Sequence, residues 1–402
     1  MNQVPQEHLE AWLWELCEDP AGRSVGTSAN RKASDLFARI ARECGAELVT
    51  EEFDCLDYEP GSVELNASKE SFAAWASPFS LGCDLHATLL AASTFQELEG
   101  LDLRDKILLL HGELAGSQIM PKNFLFYNPE EHQKLVKQLE ESGVAAIISA
   151  TKKQPDLNAA VYPTPMFEDG DLDIPSVFLS EEEGRRLLPQ VDQKIRLTST
   201  ARRIPARAWH ILAAFGSRNS RKILICSHLD TKKGTPGALD NAGGTIVLMA
   251  LLDLLRDYHG PWRIELMPFN GEDYYAVPSE MIYLRDFDPK KMELCLNLDG
   301  VGLKDTRTGI CHFNLSREQE KRINSAFADT ARYCATEPWI QGDHAIFAMQ
   351  GVPAAAFCTQ DMRRLFEDIA HTAQDTPDLV DTAKLSGIAT DLYKFITSYP
   401  VS

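Results

Sequence analysis

From about residue 205, after ARRIPARAW, the chain settles into an alternation that few architectures satisfy. Strand RKILICSHLD is followed by helix TIVLMALLDLLRDY, strands WRIELMPFNGED and KMELCLNLDG, helix REQEKRINSAFADTARYC, strand VPAAAFCT and a closing helix LVDTAKLSGIATDLYKFITSY. Strands that alternate with helices build a mainly parallel sheet covered on both faces. The expected class is therefore α/β, a mixed, mainly parallel sheet flanked by helices. In open sheets of this kind ligands bind beyond the carboxyl ends of the strands, so the strand ends are where chemistry is sought.

The remainder of the chain reads differently. At 402 residues it exceeds what one core usually supports, so two domains, or one domain with a large insertion, are expected. The opening third gives two helical stretches, the second being KASDLFARIARECG with a Gly placed as a C-cap, then the extended run AELVTEEFDCLDY. Between about Cys83 and Thr200 the runs DLHATLLAAS, DKILLLHGE, VAAIISA and IPSVFLS read as short strands, with helix EEHQKLVKQLEESG before the third. This is the pattern of a small β-rich α/β domain inserted into the larger one.

Charge and composition exclude some functions. A net charge of −19 argues against nucleic-acid binding, which depends on Lys and Arg neutralising phosphates. No stretch reaches the roughly 18 apolar residues of a membrane span, so no membrane association is expected. The start MNQVPQEHLEAWLWELCEDP mixes acidic and apolar positions without a basic, uninterrupted leader. The nine cysteines are scattered without a CxxC pair and read as reduced core thiols. A cytoplasmic location is expected.

The first three strands of the alternating half each end in metal-ligand types: His228 with Asp230, Glu272 with Asp273, then Asp299. Asp240 follows the first strand in TPGALDNAGG, whose glycines are expected to bring the backbone close to an ion, and His371 follows strand AAAFCT. Two imidazoles and three carboxylates suit zinc or a similar divalent ion. One ion does not need so many ligands. A carboxylate bridging two ions, each completed by one His and one Asp, uses all five and leaves Glu272 as general base toward a metal-activated water. Asp230 is expected to orient His228 through its other ring nitrogen.

At these residues the sequence resembles the zinc aminopeptidase family that also holds glutamate carboxypeptidase II, the transferrin receptor and glutaminyl cyclases. SHLD, GALDNAGG, NGED, NLDG, GDHAIFAMQGVPA and HTAQDTPDLVD occur in the family's order between about residues 205 and 402. The resemblance implies the zinc-exopeptidase, phosphorylase/hydrolase-like fold and two zinc ions. It puts His228 and Asp299 on one ion, Asp273 and His371 on the other, and Asp240 between them. RSVGTSANRKASDLFARIARECGAE looks like the family's first helix, which implies a catalytic domain of residues 1–62 and 203–402. The stretch 63–202 then resembles a protease-associated insertion, on LDLRDKILLLHGE and DIPSVFLSEEEGRRLL.

Two departures stand out: Asp273 where the family usually has Glu, and GDH where it often has SDH. Asp343 and His344 are therefore substrate-pocket candidates, with support of the loop as the other reading of His344, and Tyr274 and Tyr275 are read first as aromatic packing beside the site and second as sources of an oxyanion hydroxyl. The expected activity is hydrolysis of the N-terminal peptide bond of peptides. Carboxypeptidase or dipeptidase action, or hydrolysis of N-acyl amino acids, on the same site is the main alternative. Glutaminyl cyclisation and a non-catalytic binding role come behind. The expected partners are a peptide or small amide substrate and a second copy of the chain, paired through the inserted domain.

Overall fold

The protein, seen in a computed structural model that describes residues 4–153 and 161–400, forms two compact units, Met1–Asp54 with Arg207–Ser402 and Cys55–Ala206. The first unit holds an eight-stranded sheet. Its strands are β1 (Glu47–Glu59), β2 (Arg202–Phe215), β3 (Lys222–His228), β4 (Arg263–Phe269), β5 (Met292–Leu298), β6 (Thr308–Phe313), β7 (Tyr333–Ala335) and β8 (Ala354–Thr359). They lie in the order β1-β2-β4-β3-β5-β8-β6-β7. The central four, β4-β3-β5-β8, are parallel, with Ile225 opposite both Leu266 and Leu296, and Leu298 opposite Phe357. Antiparallel strands β2 and β6 flank them. The sheet is thus mainly parallel, as the alternation predicts, and the short TGICHF strand escapes sequence reading because it has no alternating pattern of its own.

The order also explains where a site belongs. From β3 the chain crosses to β4 on one side, and β5 then packs on the other, so the strand order reverses around β3. That reversal opens a crevice at the carboxyl ends of the strands.

Helices cover the sheet as their composition dictates. The helix α1, Gly243–Leu254, is apolar all round, and Gly243 through Leu252 are all buried, which fits a helix enclosed by protein. Ser28–Glu43 starts at Thr27, whose side chain accepts from the Asn30 amide. It stops where Gly45 takes φ +72°, with Ala46 N–H reaching back to the Ala41 carbonyl. The closing helix, Thr382–Ser398, is capped by Asp381, which accepts from the Ala383 and Lys384 amides. The helix expected to reach Cys334 is shorter, Arg317–Ala326. A full capping box fixes its start at Ser316, and buried Phe327 ends it against Tyr333 and Phe357.

The second unit has its own sheet, running Glu70–Phe72, Val63–Ala67, Lys194–Ser199, Cys83–Ala92, Ile107–Leu110, Ala146–Thr151, Ser176–Ser180, Trp75–Ala76. Its parallel core packs Leu89, Ile107, Leu109, Ile148 and Val177 into one cluster. The unit limits differ from those expected at 62/63 and 202/203. Strands β1 and β2 run unbroken through Asp54 and Ala206, so no change of pattern marks either crossing.

Candidate metal centre

Four loops at the carboxyl edge of the first unit's sheet bring the acids and imidazoles together. His228 is the last residue of β3, Asp299 directly follows β5, Glu272 and Asp273 lie just past β4, and His371 lies beyond β8. Asp240 sits in the wide turn Ala238–Ala242 ahead of α1, where its backbone leaves helical geometry and the Asp240–Asn241 peptide is cis.

Asp240 is the centre of the arrangement. Its Oδ1 lies 2.9 Å from His228 Nε2, and its Oδ2 lies 3.1 Å from His371 Nε2. Asp299 Oδ1 is 3.7 Å from the same His228 nitrogen, and Asp273 Oδ1 is 3.3 Å from that of His371. Two donors on one tetrahedral zinc, each about 2.0–2.2 Å from it, stand about 3.3 Å apart. The observed spacings bracket that figure, so the donor set fits such ions. Among the described residues, three groups have ligand atoms within 4.8 Å of one another: His228, Asp240, Asp299; Asp240, Asp273, His371; and His228, Glu272, Asp273. Glu272 thus stands beside both halves.

The fixed groups behind these residues are as informative. His228 Nδ1 donates to the Asp230 backbone carbonyl at 3.1 Å, which leaves Nε2 as the free lone pair facing the carboxylates. Here the expectation for Asp230 is corrected. Its carboxylate stands 3.9 Å from His228 Nδ1 and accepts the Gly271 amide at 2.8 Å instead. Asp230 orients His228 with its backbone and holds the Glu272 loop with its side chain.

Asp375, which sequence reading passed over, accepts the amides of Leu239 at 2.7 Å and Asp240 at 3.0 Å. Arg23 was passed over too. Buried, it donates to the carbonyls of Leu229 at 2.6 Å, Pro236 at 2.8 Å and Gly237 at 2.8 Å, while its own amide reaches Thr231 Oγ1 at 2.9 Å. The glycines of GALDNAGG also serve differently from expectation. Gly237 takes φ +61°, and a Cβ on Gly244 would stand 2.5 Å from the Leu298 carbonyl, so close approach of strand and helix requires glycine there. Asn241 closes the same seam, donating to the Leu298 carbonyl at 2.8 Å and accepting from Gly244 at 3.0 Å.

The electrostatics follow from burial and crowding. Burial, together with the charges of Asp273, Asp299 and Asp240, pushes Glu272 up to about 8 against the pull of His228. Burial also lifts Asp299, whereas Asp240 and Asp273 stay below the usual carboxylate range because facing histidines outweigh their burial. Burial opposes charge on His228 and His371, but the surrounding carboxylates raise both well above the ordinary histidine value. Lys232, not singled out in the sequence, donates its amide to Asp273 Oδ2 at 3.1 Å and holds its ammonium 3.8 Å from Oδ1.

The substrate-pocket candidates lie mostly inside the fold. His344 is fully buried: Nε2 donates to the Trp339 carbonyl at 2.8 Å and Nδ1 accepts from Asn297 at 3.1 Å, so both ring nitrogens are committed to holding the loop. Asp343 is 1% exposed. Tyr274 is buried and Tyr275 half-buried, with ring centroids 4.5 Å apart.

An open, mainly parallel sheet with acids and imidazoles gathered at its carboxyl edge is an arrangement that suits metal-assisted hydrolysis. Residues 210–396 match the model of Peptidase family M28. Similarity extends further. The chain is 22% identical over 391 residues to aminopeptidase YwaD of Bacillus subtilis (strain 168), covering 94% of this chain and 81% of that one. An aminopeptidase from Aneurinibacillus sp. strain AM-1 superposes with a TM-score of 0.75 at 20% identity, over 98% of this chain and 93% of the other. The zinc aminopeptidase BSAP from Bacillus subtilis does so with 0.70 at 19% identity, over 98% and 95%.

Proposed function

We propose that the protein is a two-metal aminopeptidase, with His228 and Asp299 holding one ion, His371 and Asp273 the other, Asp240 between them and Glu272 as general base. The observation that carries this reading is the division of Asp240, one carboxylate oxygen toward each histidine. A carboxylate shared in this way by two imidazoles, each with a second acid beside it, is the donor set of a pair of ions.

Bound zinc would supply Lewis acidity toward the scissile carbonyl and toward a water molecule. The chain's own part is positioning and proton transfer. Glu272 lies within reach of both halves of the donor set, and two ions held by the other five residues leave it free, so it is the group that takes a proton from water and returns it to the leaving amine. His228 is kept in one tautomer by the Asp230 carbonyl, and Asp240 is held from behind by Asp375. The negative side chains around the site also suit the ammonium of a peptide N-terminus. We further read residues 63–202 as a protease-associated-like insertion and the chain as a homodimer through it. A cytoplasmic location agrees with nine free cysteines.

Elemental analysis beside a panel of aminoacyl and N-blocked amides, with and without chelator, tests the reading. Two zinc per chain and chelator-sensitive cleavage of free-amine substrates are expected. Preference for N-blocked or C-terminal substrates would move the activity to a deacylase or carboxypeptidase. One ion with cyclisation of N-terminal glutamine would make it a cyclase.

A further inference from the structure

The loop that leaves β3 brings a lysine, Lys232, to a site otherwise lined with acids and imidazoles, and the mechanism above does not use it. The backbone on either side of it is pinned. Thr231 Oγ1 accepts the Arg23 amide at 2.9 Å, and the Gly234 amide donates to the Ala21 carbonyl at 2.9 Å. Held in this way, Lys232 meets Asp273 at three points. Its amide donates to Oδ2 at 3.1 Å, its ammonium donates to the Asp273 main-chain carbonyl at 3.0 Å, and the same ammonium stands 3.8 Å from Oδ1.

The two oxygens of Asp273 are thereby made unequal. Oδ2 is spent on a backbone amide, so Oδ1, 3.3 Å from His371 Nε2, is the oxygen left for an ion. The oxygen that faces His371 also faces the ammonium. A cation placed on it is repelled by a charge the chain itself supplies, and burial strengthens the repulsion, since the Asp273 side chain is 4% exposed and that of Lys232 29%. The other half of the donor set lacks this neighbour. Among the described residues Asp299 pairs with His228 and with no Lys or Arg. His228 is also the more enclosed imidazole, 2% exposed against 20% for His371.

We propose that Lys232 is a tethered cation that shares Asp273 with the metal. It restricts Asp273 to one ligating oxygen, weakens the hold of His371 and Asp273 on their ion, and neutralises Asp273 when that ion leaves. The ion on His371 is therefore the exchangeable one, and the ion on His228 and Asp299 the resident one. Lys232 is a positioning residue, acting on the ion through Asp273. The inference rests on the two-metal reading, whereas the partnership of Lys232 with Asp273 does not.

Titration of the zinc-loaded full chain with a chelator, followed by zinc content, reads the two ions as separate steps of release. Wild type gives up one zinc at about 10-fold less chelator than the other, and His371→Gln abolishes the weaker step alone. Lys232→Met removes the charge but keeps the backbone amide on Oδ2. Its weaker step moves about 10-fold toward tighter binding while the stronger one stays, and its melting temperature in the zinc-free form falls below that of wild type. Lys232→Arg, which keeps the charge, follows wild type in both readouts. A purely structural lysine would lower the melting temperature of loaded and zinc-free protein alike and tighten nothing. Release of both ions in one step by wild type, or a Lys232→Met chain whose weaker step is unchanged or weaker still, overturns the proposal. A wild type that binds fewer than two zinc ions overturns the two-metal reading instead, and the zinc-free melting temperatures still report whether Lys232 neutralises Asp273.

Discussion

In the proposed reading Asp240 holds metal and Glu272 transfers the proton, and single substitutions separate the two roles. Glu272→Gln keeps the shape and removes the base. Its kcat is expected to fall about 100- to 10,000-fold, the usual worth of a positioned general base, with metal content unchanged; loss of metal in parallel with activity would instead make Glu272 a ligand. Much of the donor set was legible in the sequence. His228, Glu272, Asp273 and Asp299 each sit where an apolar run gives way to polar residues, and sheet topology says what such ends are for. Arg23 and Asp375 were not legible, because an isolated Arg or Asp in a polar stretch reads as solvated. Their partners lie far along the chain: Arg23 meets Leu229, Pro236 and Gly237 across separations of 206, 213 and 214 residues. His344 was legible as a residue with two roles, substrate contact or loop support, and the choice between them needed its ring partners, Asn297 and the Trp339 carbonyl, which only tertiary packing supplies.

At the scale of elements, the loop from β3 into α1 is the part whose shape matters most, and it is held from outside itself. Arg23 supplies three side-chain donors to its carbonyls and Asp375 accepts two of its amides. Arg23→Met therefore leaves the Leu229, Pro236 and Gly237 carbonyls without their partner in a buried place. Each unsatisfied group costs about 1–3 kcal/mol, so the denaturation midpoint is expected to drop markedly and metal stoichiometry to fall with it, because Asp240 rides on the same loop. Equal metal binding with lowered stability would separate the loop's shape from the donor set. The elements themselves were legible wherever periodicity was strong, as in Gly243–Leu254 and the four parallel strands. Boundaries were harder where continuous strands β1 and β2 carry the chain between units, because an unbroken extended run leaves no turn signal.

For the molecule as a whole, charge links stability to solution conditions in two ways. Asp240, Asp273, Asp299 and Glu272 face one another, so removing metal with a chelator is expected to lower the melting temperature and added zinc to restore it; a ligand a thousandfold above its Kd contributes about 4 kcal/mol. The second link is acid sensitivity. His210 and His344 are held neutral in the core, burial pushing each down to about 4 from the ordinary 6.5. Unfolding releases both to take up a proton at pH values where the folded chain refuses it, so the unfolded state binds more protons between these limits. The stability that neutral burial preserves is complete above pH 6.5, declines as pH falls through that window and is lost below about 4. A shift of roughly 2.5 units corresponds to about 3 kcal/mol per histidine as an upper bound. His210→Gln, whose amide can still donate to the Ser279 carbonyl, removes one of the two contributions. Urea denaturation of wild type and variant at stepped pH is expected to give a shallower loss for the variant between pH 6.5 and 4, with the curves parallel above 6.5. Identical slopes throughout would mean that His210 carries the same charge in both states.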